Sequence, residues 1–425
     1  MPDPETLVTL PNGVRLLQQP GLPGGSATVA VFVRAGSAHE ARRVNGIGHV
    51  LEHMAFKGTK ERDARRINLD AERLGAEVNA HTDKDHTAFH MRGLPQHAGV
   101  FVHMLGDLVQ HATFPEAELE RERQVLLHEF TEDEDDPVST AYKLLDKASF
   151  GAHPAAQPVI GSRRNIERLT RDDLVAHVAR LYTGANVVVA VAAAGDPDTL
   201  LREVEAAFGG LPPGTPNLIA QAPWHGGIRS RRQAGSSQTH LVLGLPLPAL
   251  RAGDPVGEVA AALFGEGMSS PLLDAVRERR GLAYFAACSA DVLDFSGQFV
   301  VEASTSPEQL VELLAEVVEL LAAQAEAIAA EDFERAHNQL AVRALRQREK
   351  PLRRLEEAAL DVFALGRARS AEERAARIAG VGVDELRAAF ARMLTRRPAL
   401  AVTGRVAAGT NERLRDTLAR RFAGE

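Results

Sequence analysis

The sequence is poor in cysteine, and this absence excludes two kinds of architecture. Cys288 is the only cysteine in 425 residues. An intrachain disulfide framework and a cysteine-rich zinc site are therefore both excluded. A single cysteine fits a reducing compartment, and Met1–Glu5 has neither the basic nor the apolar segment of a secretory signal. We therefore expect a cytoplasmic protein.

Positive charge and long apolar runs are also scarce. Lys and Arg number 49 against 57 Asp and Glu, a net charge of −8. We expect no general nucleic-acid partner, because such binding needs a basic field. The longest apolar runs, such as 187–194, are far shorter than the roughly 20 residues that span a membrane. The 45% hydrophobic and 25% charged residues are typical of a globular protein, and the length indicates two or three domains.

What the chain does contain is the short motif HVLEH at 49–53. On an α-helix, positions i, i+3 and i+4 share one face, so His49, Glu52 and His53 would converge on one point. Two neutral imidazoles at this spacing suit Zn²⁺, and a carboxylate beside them can act as general base on a water held by the metal. The donor set would also accept Mn²⁺ or Co²⁺. The motif predicts a metal site on a helix over 46–56.

Such a site needs a further ligand, and two glutamates of a later helix could supply it. Glu122 and Glu129 are seven residues apart in a helix predicted over 115–130. Seven residues make two turns, so both carboxylates lie on one face, and either could be the oxygen ligand. The acidic run 132–136 that follows is predicted to be a solvated loop closed by Pro137.

A second group of histidines lies in a predicted strand pair, 76–80 and 87–91. The polar turn at 82–85 lies between His81 and His86, and His90 follows on the second strand. On a strand, a spacing of four residues separates two side chains by about 13 Å. We therefore interpret these histidines as polar-face or loop residues rather than as metal ligands.

The remaining pattern is one of short strands and amphipathic helices. Alternating apolar residues, turn signals and capping residues define them. Strands are predicted at 7–10, 14–17, 28–33 and 187–191, and helices at 63–74, 94–112 and 171–182.

The second half of the chain repeats the first. Strand 28–32 matches 239–243 at an offset of 211, and strand 187–191 matches 399–403 at an offset of 212. The stretch 209–216, rich in glycine and proline, is the strongest linker signal. We predict an α+β fold of two homologous domains, each a mostly antiparallel sheet with helices packed on one face. The domains are predicted at 1–210 and 228–425, with 211–227 as linker.

The repeat also tests the motif. At the offset of 211, the positions of His49, Glu52 and His53 become Ala260, Leu263 and Phe264. A helix that only has to pack would be apolar, as the second copy is. The polar triplet therefore departs from the structural template, which is typical of a functional site.

On these features, the chain resembles the M16 (pitrilysin/insulinase) zinc metallopeptidases over nearly its whole length. It is most similar to the bacterial processing proteases related to the β subunit of the mitochondrial processing peptidase. In that family H-x-x-E-H, the inverzincin motif, supplies two zinc ligands and the base, and a glutamate about 76 residues after the second histidine completes the site. The resemblance implies that His49, His53 and Glu129 bind zinc, that Glu52 is the base, and that Glu122 supports the site.

The resemblance implies further substrate-contacting residues. The segment 265–284 is similar to a family motif whose arginine and tyrosine, here Arg277 and Tyr284, reach the bound substrate. The stretch 75–82, with Asn79 and Ala80, resembles the edge strand on which family substrates pair. Phe56 matches a residue that lines the pocket beyond the cleaved bond.

The expected function is zinc-dependent endoproteolysis of unfolded or extended peptides, with one zinc ion per chain. Because this chain carries both the zinc motif and the Arg-Tyr motif, the resemblance implies a self-sufficient enzyme, and we expect a homodimer. The alternative is a non-catalytic, peptide-binding or scaffold subunit of an M16-like assembly. Relatives of that kind typically have a degraded zinc motif, whereas this motif is intact.

Overall fold

The structure is a computed structural model that describes residues 6–21 and 24–422. Met1–Glu5, on which the expectation of no secretory signal rests, lies outside the described residues. Within them the chain forms two compact units. Unit 1 comprises residues up to 130 together with 157–219 and 346–370, and unit 2 comprises 131–156, 220–345 and 371 onwards.

The helices and strands largely follow the predicted pattern. The first half contains β1 (Thr6–Thr9), β2 (Arg15–Pro20), β3 (Ala27–Val33), α1 (Ile47–Ala55), α2 (Ala64–Arg73), β4 (Glu77–Thr82), β5 (Thr87–Gly93), α3 (Ala98–His111), α4 (Glu116–Asp135), α5 (Pro137–Phe150), α6 (Arg163–Arg168), α7 (Arg171–Leu181), β6 (Val187–Ala193) and α8 (Pro197–Phe208).

The second half resumes with strands. It contains β7 (Gly227–Arg232), β8 (Thr239–Pro246), α9 (Val256–Gly265), α10 (Pro271–Leu273) continued by a π-helical turn at Asp274–Arg279, β9 (Phe285–Leu293), β10 (Ser296–Thr305), α11 (Leu310–Glu326), α12 (Ala330–Arg348), α13 (Pro351–Leu365), α14 (Ala371–Ala379), α15 (Val383–Leu394), β11 (Ala399–Gly404) and α16 (Thr410–Ala419).

Each unit is built on one mixed, mostly antiparallel sheet, and the two sheets share a topology. Among the described residues, the strand orders are β1-β2-β6-β3-β5-β4 and β7-β11-β8-β10-β9. The register repeats as well: Thr28 pairs with Ala192 in unit 1, and Thr239 pairs with Gly404 in unit 2. These pairs differ by the offsets of 211 and 212 found in the sequence. The α+β prediction and the internal duplication are confirmed.

Each sheet also carries a helix on the face opposite its main core. In unit 1, α13 packs through Leu355, Ala359 and Val362 on the back of the sheet. In unit 2, α5 packs through Ala141 and Leu145 in the same way. Each of these helices comes from the half of the sequence that builds the other sheet. The segments of each unit are therefore discontinuous in the sequence, unlike the predicted ranges 1–210 and 228–425.

One predicted loop is wrong. The acidic run after residue 131 continues α4 as far as Asp135 instead of forming a solvated loop. Lys143 neutralises it, because its ammonium lies 2.6 Å from a carboxylate oxygen of Asp133 and 2.6 Å from one of Glu134. Helix geometry is retained where paired cations offset the mutual repulsion of the carboxylates.

Among the described residues, no helix combines the length and the apolarity that a membrane crossing needs.

Candidate metal centre

The motif residues lie on α1, whose start is fixed by a buried carboxylate. Glu40 accepts hydrogen bonds from the backbone N–H of Gly46 at 2.7 Å and of Gly48 at 2.8 Å. A third bond comes from the side-chain amide of Asn45 at 2.8 Å. An anion at this position satisfies the first N–H groups of the helix and complements its dipole. Glu40 therefore sets the direction in which α1 leaves the loop.

Both glycines at this turn fit its geometry. Gly46 has φ of +100°, which other residues rarely adopt. A Cβ on Gly48 would lie 2.9 Å from the carboxylate oxygen Oε1 of Glu40. A side chain at either position would therefore disturb the capping contact.

Helix α1 is amphipathic, and its two faces have different tasks. Ile47, Val50, Leu51, Met54 and Ala55 are buried in the core of unit 1. His49, Glu52 and His53 lie on the other face and are half-buried. The rings of the two histidines are 4.8 Å apart and nearly perpendicular, at 80°. The predicted convergence of the three motif residues on one helix face is therefore present.

Helix α4 brings a carboxylate to the two histidines. Oε2 of Glu129 lies 3.7 Å from Nε2 of His49 and 3.6 Å from Nε2 of His53. The three ligand atoms offered by these residues all lie within 4.8 Å of one another. Of the two glutamates that the sequence leaves open, Glu129 is the one whose carboxylate approaches Nε2 of both histidines.

Glu122 faces the opposite nitrogen of the same ring. Its Oε2 lies 3.2 Å from Nδ1 of His53. A proton on Nδ1 that is donated to Glu122 leaves Nε2 unprotonated and directed at the point shared with Glu129. A carboxylate in this position fixes the tautomer and orientation of a metal-binding imidazole. Glu122 thus orients His53.

Lys57 completes this arrangement. Its ammonium lies 2.6 Å from Oε1 of Glu122. Burial alone would raise the pKa of Glu122, but the hydrogen bonds from Lys57 and His53 lower it below its ordinary value. Glu122 is therefore held as an anion. No local pattern predicts Lys57, because it lies beyond the end of α1 and its partner Glu122 is on another helix.

A buried tyrosine, Tyr182, lies within electrostatic range of Glu52. Burial, and then the nearby carboxylates Glu52 and Glu40, raise the pKa of Tyr182 above its ordinary value. Tyr182 is 3% exposed and remains a neutral phenol. It was not among the predicted residues, because 129 residues separate it from His53 in the sequence.

The donor set fits zinc. Two imidazole nitrogens and one carboxylate oxygen on three protein side chains are the ligands of a catalytic zinc site that leaves a fourth position open. The separations of 3.6 and 3.7 Å between donor atoms are close to the edge of about 3.3 Å of a tetrahedron around zinc. His49, His53 and Glu129 are the residues that could hold the ion.

Arg277 and Tyr284 belong to unit 2 and meet one another there. The guanidinium carbon of Arg277 lies 4.8 Å from the centroid of the Tyr284 ring, a cation–π contact. Tyr284 is 81% exposed. An exposed tyrosine stacked on an arginine is available to a ligand rather than to the core of its unit.

The predicted peptide-pairing residues lie on β4, at one end of the strand order among the described strands. Asn79 is exposed, and its Oδ1 accepts a hydrogen bond from the backbone N–H of Ala80 at 2.8 Å. The side chain of Ala80 is buried in the core of unit 1, so only its backbone can serve a ligand. Phe56 is half-buried at the end of α1 and packs on the same core.

Comparisons with known proteins agree with this architecture. Residues 20–163 match the family described as insulinase (peptidase family M16), and residues 168–340 match the M16 family's inactive domain. A protein of Streptomyces coelicolor named uncharacterized zinc protease is 32% identical over 97% of this chain and 92% of its own length. A Bacillus subtilis protein of the same description is 33% identical over 72% of this chain and 75% of its own length.

Solved structures share the fold at lower identity. A protease from Helicobacter pylori has a TM-score of 0.85 at 21% identity and covers 95% of this chain and 100% of its own. A chain of complex III from Candida albicans has a TM-score of 0.85 at 18% identity, covering 97% of this chain and 99% of its own. The two matched families span both halves of the sequence, and zinc proteases are related to it over most of its length. The chain therefore belongs to the M16 family of zinc peptidases.

Proposed function

We propose that the protein is a zinc-dependent endopeptidase that cleaves unfolded or extended peptides. The observation that carries the proposal is the convergence of His49 Nε2, His53 Nε2 and Glu129 Oε2 beside Glu52. Bound in this set, a zinc ion would polarise the scissile carbonyl and make water a better nucleophile. We expect one such ion per chain.

Glu52 acts as the proton carrier. As a carboxylate it accepts a proton from the attacking water, and it then donates that proton to the nitrogen of the leaving amine. Its place on the ligand-bearing face of α1 suits this role. Glu122 and Lys57 keep His53 in the orientation that presents Nε2.

The substrate binds as an added strand beside β4. Backbone hydrogen bonds along Asn79 and Ala80 recognise an extended chain with little demand on its sequence. An incoming strand has to displace the contact between the Asn79 side chain and the Ala80 amide, so substrate and side chain compete for one donor. Phe56 contributes an apolar contact beyond the cleaved bond.

Arg277 and Tyr284 serve the substrate from unit 2. The phenol of Tyr284 can donate a hydrogen bond to the developing oxyanion or to the substrate backbone, and Arg277 holds the ring through its stacked guanidinium. Because this chain carries both this pair and the zinc motif, we infer that it works without a second type of subunit, as a cytoplasmic homodimer.

The test is a fluorogenic peptide library assayed with the wild type and Glu52→Gln, combined with metal analysis. The variant should keep the zinc content of the wild type and lose turnover. Mass-spectrometric mapping of cut sites should find cleavage within peptides and not only at their ends. Wild-type protein that holds zinc but cuts no peptide would instead support the scaffold alternative, and full turnover by Glu52→Gln would refute the role of Glu52.

A further inference from the structure

Unit 1 contains a second convergent group of ligand atoms, formed by His81, His86 and Glu356. As in the first group, the ligand atoms all lie within 4.8 Å of one another. Oε1 of Glu356 is 3.1 Å from Nε2 of His81 and 3.4 Å from Nε2 of His86. The two rings are 5.5 Å apart at 87°, nearly the arrangement of the pair on α1.

The group is assembled from three separate elements of unit 1. His81 lies on β4, His86 lies in the turn before β5, and Glu356 lies on the first turns of α13. The interpretation of these histidines as mere polar-face or loop residues misses their shared partner. Glu356 is 270 residues from His86 in the sequence, so no local pattern links them.

His86 supplies an independent indication of a ligand. Its side chain is 2% exposed, and its buried Nε2 has no hydrogen-bond partner among the described residues. The nitrogen faces Oε1 of Glu356 at 3.4 Å, which is longer than the roughly 2.7–3.2 Å of a good N–H···O hydrogen bond. A buried polar atom left without a partner is costly, and it is expected where a ligand completes the site.

The residues around the group resemble the surroundings of a metal site. Nδ1 of His86 is 2.7 Å from Oδ1 of Asp85, the carboxylate–imidazole contact that fixes a metal-binding tautomer. Arg353 donates to the other carboxylate oxygen of Glu356 at 2.8 Å, which leaves Oε1 free to face the histidines. Both outer contacts thus orient ligand atoms toward one point.

The distances and the access also suit an ion. Ligand atoms on a tetrahedral zinc are about 3.3 Å apart, since zinc–nitrogen and zinc–oxygen bonds are about 2.0–2.1 Å. The separations of 3.1 and 3.4 Å bracket that value. The side chain of His81 is 35% exposed and offers a path from solvent. These are the features by which a new metal site can be judged.

We propose that His81, His86 and Glu356 form a second zinc site, distinct from the centre on α1 and α4. Its function is structural: the ion fastens the β4–β5 hairpin to α13 and so holds the edge strand proposed to receive the substrate. The proposal does not depend on the peptidase activity, because the two groups share no ligand.

A proton is the competing occupant. Burial alone would lower the pKa of His86, but the carboxylates of Asp85 and Glu356 raise it to about 10 in the absence of metal. A metal ion would have to displace this proton from His86. Direct measurement of bound metal decides between the two.

The experiment uses His49→Ala to disable the first centre and then counts zinc in the full-length protein. After equilibration with buffered micromolar free zinc, His49→Ala should hold one zinc per chain, and His49→Ala/His81→Ala should hold none. His49→Ala/His103→Ala is the matched control, because His103 forms an exposed pair with Glu203 at 2.6 Å outside both groups. It should retain one zinc. Cobalt substitution should give a tetrahedral absorption spectrum only where zinc is retained.

Thermal melts followed by circular dichroism check folding and the structural function together. Added zinc should raise the Tm of His49→Ala and of the His103 control, and should leave the Tm of His49→Ala/His81→Ala unchanged. No zinc in His49→Ala, or equal zinc with and without His81, would overturn the proposal. Two zinc ions in His49→Ala and one in the His81 double variant would uphold the second site and show that the first centre holds its ion without His49.

Discussion

Helices α1 and α9 occupy equivalent positions in the two units, but one face differs in polarity between them. Each follows the equivalent strand of its sheet: β3, which pairs with β6, in unit 1, and β8, which pairs with β11 in the same register, in unit 2. On α9, Ala260, Leu263 and Phe264 are completely buried, whereas their counterparts on α1 are half-buried and polar. The backbone position is the same. The difference therefore lies in what each helix face contacts.

In unit 2 the counterpart face is part of an aromatic core. The ring of Phe264 is 5.8 Å from that of Phe299 and 6.2 Å from that of Phe390. In unit 1 the corresponding face meets two carboxylates of α4 instead, Glu122 and Glu129. The face that extends the apolar core on α9 thus presents candidate metal ligands on α1.

The largest effect is expected when one residue is exchanged between the two helices. Leu263→Glu buries a carboxylate in the apolar core of unit 2 and should lower the free energy of unfolding by about 4 kcal/mol or more. The reverse change, Glu52→Leu, should alter it by less than about 1 kcal/mol, because Glu52 is half-buried at a site surface. Urea titration of both variants measures the difference. Equal destabilisation of the two would contradict the division between a packing face and a ligand face.

Glu52→Gln should separate chemistry from metal binding. We expect kcat to fall about 10³-fold, within the range for loss of a general base, because the amide cannot accept the proton from water. Steady-state peptide cleavage measures kcat, and the zinc content serves as the control. Loss of zinc in step with activity would show that Glu52 acts on the ligands rather than on the proton.

Glu122→Gln should weaken zinc binding by about 10- to 100-fold. The amide no longer holds the proton of His53 on Nδ1, so Nε2 is less often free to bind the metal. Chelator competition measures the Kd. Glu120→Gln is the control, since Glu120 lies on the exposed side of α4 and pairs with Arg123 at 3.0 Å. A change in the control of the same size would indicate a general effect of charge.

The smallest effect concerns the cap of α1. Burial raises the pKa of Glu40 to about 7, although three hydrogen bonds to the carboxylate lower it. Between the unfolded value of 4.5 and about 7 the folded state holds the proton more tightly, so stability should fall as the pH rises through this window. The slope cannot exceed about 1.4 kcal/mol per pH unit for one proton.

The measurement compares the wild type with Glu40→Gln, both freed of metal, by urea unfolding at several pH values. The stability of the variant relative to the wild type should increase from pH 4.5 to 7 and then level off. A constant difference across this range would mean that Glu40 has the same pKa in both states. Glu134→Gln, which removes a carboxylate in unit 2, is a suitable control.

Much of the first site could be predicted, because its residues obey local rules. The spacing of His49, Glu52 and His53 places them on one helix face whatever surrounds them. Glu129 could be chosen over Glu122 only through the family resemblance, since both lie on the same face of α4. Their distinct contacts with His53 appear once α1 and α4 are packed together.

The remaining features depend on packing that no local pattern encodes. The exchange of α5 and α13 between the halves joins segments far apart in the sequence, and each helix covers an apolar sheet face. Glu356 reaches His81 and His86 only because of this exchange. The helical end of α4 likewise depends on Lys143, which lies on the next helix.

The sequence by itself determined the hydrophobic periodicity of the helices and strands, the internal duplication and the polar face of α1. All three follow from the spacing of residues along the chain. Only the tertiary structure decided which nitrogen of His53 meets Glu122, which glutamate faces both histidines, and that a second triad exists. These depend on side chains brought together from distant segments, where the burial of apolar surface determines the approach and the polar atoms must find partners within it.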